Sequence, residues 1–352
     1  MSEAYDYGNA RIRALKSALL SGTRYRELMD LDLDGLLAAL GDTPYQPDVL
    51  AATPRHEGVR LVYEALRLNL SRTLVQMAAW YEGEAAEAIA LLLGRWDLRN
   101  LRAVLRGQFA RRPLDEIEAI LVPAGTVTES VLAELATQPD LRTTVEMMMV
   151  WGVPDAKTAR AVLAAWPEFE ASGDFQALER VLERSRSEYV AAAVDHHDPT
   201  LAAVLKMEVD HVNILTMLRL LDQGEGPWDA VDPIERLLSG GAIPIPTLLR
   251  AAAADDRAAA SAELGAAARP WLPALSRWAE SGDLVGLVGE LEAETTTAAA
   301  SLFSTSDPLG LGTPIAYVWA KENEVRNLRT IAAGLDAGLP PEVIETELVV
   351  LW

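Results

Sequence analysis

The sequence contains no cysteine, which excludes disulfides, thiolate metal sites and thiol redox chemistry. Lysine is almost as scarce: Lys16, Lys157, Lys206 and Lys321 are the only four. No glycine is followed by lysine, so a Walker A phosphate loop is excluded, and neither a GxSxG elbow nor an HExxH metal motif occurs. No stretch approaches the roughly 18 uninterrupted apolar residues of a membrane span. The densest short run is Met147-Met148-Met149-Val150-Trp151. The N-terminal stretch has no apolar centre of the kind a secretory signal needs. The chain therefore reads as soluble and intracellular. Positive charge is in deficit as well: the net charge is −21. Such a chain is repelled by nucleic acid phosphates and anionic lipid, so nucleic acid is not an expected partner.

What is present is helical. Half of the residues are hydrophobic, and Ala, Leu, Arg and Glu, all good helix formers, dominate. No sustained period-two alternation occurs, so the predicted fold class is all-α. Asp198-Pro199, Asp232-Pro233 and Asp307-Pro308 read as helix starts, with proline at the first helical position. Thr126 to Glu129 reads as a capping box. Gly107 and Gly334 read as the left-handed residues that close helices. A basic amphipathic helix is predicted from Tyr7 to Leu20, and a bend at Gly224 to Pro227.

The most informative pattern is a short motif written three times: Asp97-Leu98-Arg99-Asn100-Leu101, Asp210-His211-Val212-Asn213-Ile214 and Glu324-Val325-Arg326-Asn327-Leu328. The asparagines are 113 and 114 residues apart, and each follows an acid by three positions. That spacing predicts three similar helical lobes, at residues 1–120, 121–237 and 238–352, with approximate threefold symmetry. Two further echoes support it: Ser172-Gly173-Asp174-Phe175 with Ser281-Gly282-Asp283-Leu284, and Gly125-x-Val127 with Gly241-x-Ile243. Acid and asparagine share a helix face one turn apart. They are candidates either for a partner-facing surface or for an internal Asp–Asn hydrogen bond that fixes helix register. Arg99 and Arg102 recur as Arg326 and Arg329, whereas the second motif has Val212 and Leu215. These arginines are candidate contacts to acidic groups, on a partner or on a neighbouring lobe.

Catalytic constellations are sparse. Asp195-His196-His197-Asp198 is the one metal-like cluster; its ordinary reading is a helix end followed by an N-cap. His211 occupies the column of Leu98 and Val325 and reads as a packed helix residue. No catalytic, cofactor or metal site is assigned.

Four segments together resemble the C subunit of the archaeal-type and bacterial V-type ATPase/ATP synthase, the homologue of the vacuolar d subunit. They are Tyr7-x-x-Ala10-Arg11-Ile12-Arg13-x-x-Lys16-Ser17-x-Leu19-Leu20, Trp96 to Leu101, Glu208-x-Asp210-x-x-Asn213-Ile214, and Tyr317 to Arg329. The resemblance implies a funnel of three lobes that joins the central shaft of a rotary ATPase to the membrane proteolipid ring. It also implies torque transmission without catalytic residues, and membrane attachment only through the ring. Two alternatives remain: a free-standing helical-repeat scaffold for other protein partners, and a hydrolase using Asp195, His196 and His197.

Overall fold

In the computed structural model, residues 3–194, 198–223 and 233–352 are described, and every regular element among them is helical. A first helix, α1 (Glu3–Lys16), precedes a succession that recurs. The succession opens with an eight-residue helix, α2 (Gly22–Met29), and continues through α3 (Leu33–Gly41), α4 (Gln46–Ala52) and α5 (Gly58–Ala78) to a long motif helix, α6 (Gly83–Phe109), and a short one, α7 (Leu114–Glu118). The second run opens again with eight residues, α8 (Glu129–Ala136). It passes through α9 (Leu141–Trp151), α10 (Ala156–Ala164), α11 (Trp166–Ser172) and α12 (Phe175–Val194) to the motif helix α13 (Pro199–Gln223) and a 3₁₀ turn, Pro233–Arg236. The third opens with the eight residues of α14 (Ile245–Ala252). It continues through α15 (Arg257–Leu264), a 3₁₀ segment Gly265–Trp271, α16 (Leu272–Ser281), α17 (Leu284–Ala300) and α18 (Leu302–Thr305) to the motif helix α19 (Gly312–Asp336) and the short α20 (Pro341–Thr346).

The chain divides into two compact units: residues 1–144 with 300–352, and residues 145–299. In the first, α19 packs along α5 and against α1. Ile315, Ala316, Tyr317, Val318, Trp319 and Ala320 are all buried, so the first half of this helix is enclosed on every side rather than along one stripe. In the second unit, Ile214, Met217 and Leu218 of α13 share a core with Leu248, Trp271, Trp278, Leu287 and Leu291. Trp271 meets the requirement of its buried N–H by donating to Thr295 Oγ1 at 2.9 Å.

Local expectations are met where a side chain has no competing partner. Asp198 caps α13 by accepting from Thr200 N. The Ser-Gly-Asp echo is one loop used twice. Gly173 and Gly282 end α11 and α16 in the left-handed conformation. Ser172 and Ser281 each accept from the following Asp N–H at 3.1 Å, and Asp174 and Asp283 accept from the first turn of the next helix.

Four local readings are corrected. α1 stops at Lys16, because residues 17–19 turn to bring Leu20 N to Glu324. Gly107 and Gly334 lie inside their helices, where Ile117 and Ile344 pack so close that a Cβ would clash at 2.4 and 2.5 Å. The left-handed residues are Arg111 and Gly338, four positions later. In both ends the next N–H reaches back to the glycine carbonyl, Arg112 N to Gly107 O and Leu339 N to Gly334 O, in the Schellman pattern. Thr128 rather than Thr126 caps α8, because Thr126 Oγ1 is taken by Asp97. Asp307-Pro308 forms a tight turn, not a helix start, and the Pro308 carbonyl accepts from Asn9 and Arg13. The Gly224–Pro227 bend, Asp232 and the Asp195-His196-His197 cluster lie outside the described residues.

Candidate functional site

The motif residues are not surface features. Asp97, Asn100, Asp210, Asn213, Glu324 and Asn327 are all at most 3% exposed. Nor do acid and asparagine bond to one another. Both reach sideways to other chain segments, and they do so three times.

Asn100 donates through Nδ2 to Val122 O at 2.7 Å and accepts at Oδ1 from Val122 N at 2.8 Å. Its amide thus satisfies both backbone groups of one residue, as a neighbouring strand would. Asn213 does the same to Leu238, at 2.9 and 2.7 Å, and Asn327 to Val349, at 2.8 and 3.1 Å. An irregular segment buried beside a helix has peptide groups with no ladder partner, and leaving them bare costs about 1–3 kcal/mol each.

The acid takes the next peptide groups along. Asp97 accepts from Thr126 N, Thr126 Oγ1 and Val127 N at 2.8–2.9 Å. Asp210 accepts from Ala242 N at 2.9 Å and Ile243 N at 3.0 Å. In both loops a glycine, Gly125 or Gly241, comes before the donors, and a Cβ there would stand 2.1 Å from the carboxylate oxygen. The Gly-x-Val and Gly-x-Ile echo is thereby explained: the glycine makes room for the acid. Burial holds the Asp210 carboxyl above the usual carboxylate range, with the two backbone donors acting the other way.

The third clamp differs in chemistry. Glu324 accepts at Oε2 from Leu20 N at 2.6 Å. At Oε1 it accepts from Tyr45 OH and from Lys321 Nζ, both at 2.7 Å. Lys321 also donates to Tyr45 OH at 2.8 Å, and its ammonium stands 4.1 Å from the centre of the Tyr45 ring. Burial, then Glu324, push the Tyr45 hydroxyl well above its ordinary value, so it stays a proton donor; Tyr25 and Tyr317 are raised for the same two reasons. Tyr45 lies in no motif, and Leu20 and Lys321, though they fall in the family-like segments, stand outside the threefold pattern. The one signal for them is Lys321 itself, a rare lysine one helical turn before Glu324.

The arginines divide into internal and exposed members. Arg95 stacks on the Trp319 ring at 3.7 Å and pairs with Glu322, which also accepts from Trp96 Nε1 at 2.9 Å. Arg99 is exposed, lies 4.8 Å from the Trp96 ring, and comes within 3.9 Å of Glu322. The third motif helix thus supplies one of the acids expected for this basic segment. Arg102 is half-buried. Arg326, also half-buried, donates to Asn323 at 2.7 Å, while the exposed Arg329 lies over the Tyr63 ring. His211 packs in unit two beside Thr295, and burial lowers its proton affinity. Among the described residues no group of three or more His, Cys, Asp or Glu could hold a metal ion, and no helix is long and apolar enough to cross a membrane.

The arrangement consists of buried side chains gripping backbone, which immobilises the start of each helix run. Known proteins are similar to this chain over nearly its whole length. The C subunit of the A-type ATP synthase of Haloferax volcanii is 28% identical over 360 residues, covering 98% of this chain and 97% of its own. Its V-type ATP synthase counterpart from Thermus thermophilus is 30% identical over 350 residues, covering 99% of both chains. The A-type counterpart from Thermococcus onnurineus is 29% identical, covering 98% and 90%. A family model described as ATP synthase (C/AC39) subunit matches residues 8–347. All three clamps, two in full and the third but for its last contact at Val349, fall within that match, and the chain belongs to the ATP synthase (C/AC39) subunit family.

Proposed function

We propose that this chain is the non-catalytic central-stalk socket of a rotary V/A-type ATPase. It links the central shaft to the membrane proteolipid ring and transmits torque for ATP-coupled proton or sodium transport. The observation that carries the reading is the family match, which runs almost end to end and takes in the three motif helices. The clamps fit the task. A part that transmits torque must not shear internally, and each clamp ties irregular chain to a long helix through buried hydrogen bonds instead of mobile surface contacts. The three runs of helices are proposed to form three similar lobes, at residues 1–120, 121–237 and 238–352, around the shaft end. Attachment to the membrane would then be indirect, through the ring. Arg99, Arg102, Arg326 and Arg329 are proposed to meet acidic groups of the shaft or ring wherever Glu322 and Asn323 leave them accessible.

Affinity capture of the tagged chain from its own cells, followed by electron microscopy of the captured complex, tests this. Shaft and proteolipid components are expected, with the chain on the rotation axis and its three lobes superposable on Asn100, Asn213 and Asn327. Capture of unrelated proteins alone would favour the free-standing scaffold. The purified chain should not hydrolyse ATP, and turnover that follows the protein peak through repurification would contradict the non-catalytic reading.

A further inference from the structure

The three clamps are connected in a cyclic order. The first motif helix holds residues 122–127, which lead into α8; the second holds 238–243, which lead into α14. The third, through Glu324, holds Leu20, which leads into α2. The correspondence is residue by residue. Val127, Ile243 and Leu20 each donate their N–H to the motif acid. The next residue is the N-cap, Thr128, Pro244 or Ser21. Each cap is followed by a helix of eight residues. Leu20 therefore occupies in the third clamp the place that Val127 and Ile243 occupy in the first two.

The substitution has a chemical consequence. In the first two clamps the gripped residues lie within 33 positions of the acid. Leu20 and Glu324 are 304 residues apart, so the segment must be recruited across a far larger loop. The second donor is also missing. Leu19, the counterpart of Thr126 and Ala242, spends its N–H on Lys16 O in the turn that ends α1. Ala18 stands where Gly125 and Gly241 make room for an acid. A glutamate spans the wider gap, and Lys321 and Tyr45 fill the oxygen that the missing peptide N–H would have taken. All three side chains are at most 4% exposed. A buried ion pair of this kind holds strongly as a set and fails when one member is removed.

We infer that Glu324, with Lys321 and Tyr45, is a latch that holds residues 20–29 in place as the opening of the helix run, so that the seam of the threefold pattern is closed by a buried charge cluster where the other two joints are closed by short loops. Glu324 is a positioning residue: it acts through the Leu20 amide. The latch does not depend on which complex the chain joins.

The absence of cysteine gives a direct test. A Cβ on Gly22 would lie 4.0 Å from the Val350 Cβ, within the range a disulfide requires. Gly22→Cys with Val350→Cys thus creates a single bridge across the seam. Glu324→Gln keeps the side-chain shape and removes the charge. Hydrogen exchange of this variant should accelerate by about tenfold or more at residues 20–29 and at 349–352, while residues 122–127 and 238–243 keep their protection. Oxidising the cysteine pair in the Glu324→Gln background should restore protection, and thiol reductant should abolish it again. Unchanged exchange at residues 20–29, or equal loosening of all three joints without rescue, overturns the latch. If Glu324→Gln does not fold, folding of the bridged form under oxidising conditions alone supports the latch, and failure under both conditions overturns it.

Discussion

Gly125 sits against Asp97 so closely that the smallest side chain would place a carbon 2.1 Å from its Oδ1. Gly241 stands in the same relation to Asp210. The absent side chain lets the loop come near enough for two successive peptide N–H groups to reach one carboxylate.

Gly125→Ala and Gly241→Ala should each destabilise the chain by about 2–4 kcal/mol, as overpacking does where the obstructing atom belongs to a held group. Urea denaturation gives the value. In an Asp97→Ala background the added methyl at Gly125 should cost much less. Additive losses in that double-mutant cycle would show that the glycine answers to something other than the acid.

Replacing Asn100 or Asn213 by Leu removes both partners of one peptide, whereas Asn327→Leu leaves Val349 O its 2.7 Å bond from Asn323 Nδ2. The first two changes should each lower stability by about 2–4 kcal/mol, because an N–H and a C=O are left unsatisfied together, and the third by about 1–3 kcal/mol. Melting temperatures of the three single variants should fall in that order. A variant that melts normally but fails to assemble would assign its asparagine to a partner surface.

How much of this was legible in the chain depends on which partner each residue serves. The asparagines, their acids and the two glycines announced themselves through spacing, because they answer a geometric need that recurs. What they grip was not legible. Backbone carries no sequence signature, and a turn of buried polar residues looks the same whether it faces a partner or a loop. Thr126 reads as a cap in sequence, but a hydroxyl beside a helix start has two uses, and Asp97 takes this one. The third joint was hidden because Leu20 and Tyr45 come from the far end of the chain.

The two matching Schellman ends differ at the left-handed residue. Arg111 holds φ at 52°, and its counterpart Gly338 holds 67°. A side chain in this region carries strain of about 1 kcal/mol that glycine does not. Arg111→Gly should therefore raise stability by a few tenths to about 1 kcal/mol, and Gly338→Ala should lower it by about 1 kcal/mol. Paired thermal melts decide the matter, and a loss with Arg111→Gly would mean that the guanidinium makes contacts worth more than the strain.

His211 gives the chain an acid sensitivity with a definite sign. Burial depresses its proton affinity, opposed by Glu292, and Thr295 Oγ1 lies 3.4 Å from Nδ1. A group depressed in the fold contributes stability that is complete above its ordinary value of about 6.5 and is lost as pH falls through it. Melting temperature should decline from neutral pH toward about pH 5, and His211→Leu, the residue type found in the Leu98 column, should flatten that decline. The adjacent Asp210, raised by burial, works oppositely and at lower pH, and it is present in both proteins, so it cancels from the comparison. An identical slope in the variant would remove His211 from the account.

Arg99 is exposed and Arg102 half-buried, and ion pairs of exposed side chains contribute little singly. Pairs of this kind are worth about 0–1 kcal/mol each. Arg99→Ala with Arg102→Ala should leave the isolated chain folded and weaken capture of the shaft and ring components, and raised salt should mimic the effect. Unfolding of the double variant on its own would place these arginines in the fabric of the first unit. No change in either property would make them a solvated face.

The clamps read peptide groups, and a peptide group is the same whatever side chain it bears. Thr126 adds a hydroxyl bond to Asp97, but the bonds that the first two clamps have in common all go to peptide groups. Val122-Pro123-Ala124 and Leu238-Ser239-Gly240 already have nothing in common beyond an apolar first residue, yet both are held by the same two bonds. A bond to a peptide group stays the same while the side chain on that peptide changes. The Haloferax volcanii and Thermus thermophilus relatives share fewer than one position in three with this chain over nearly its whole length.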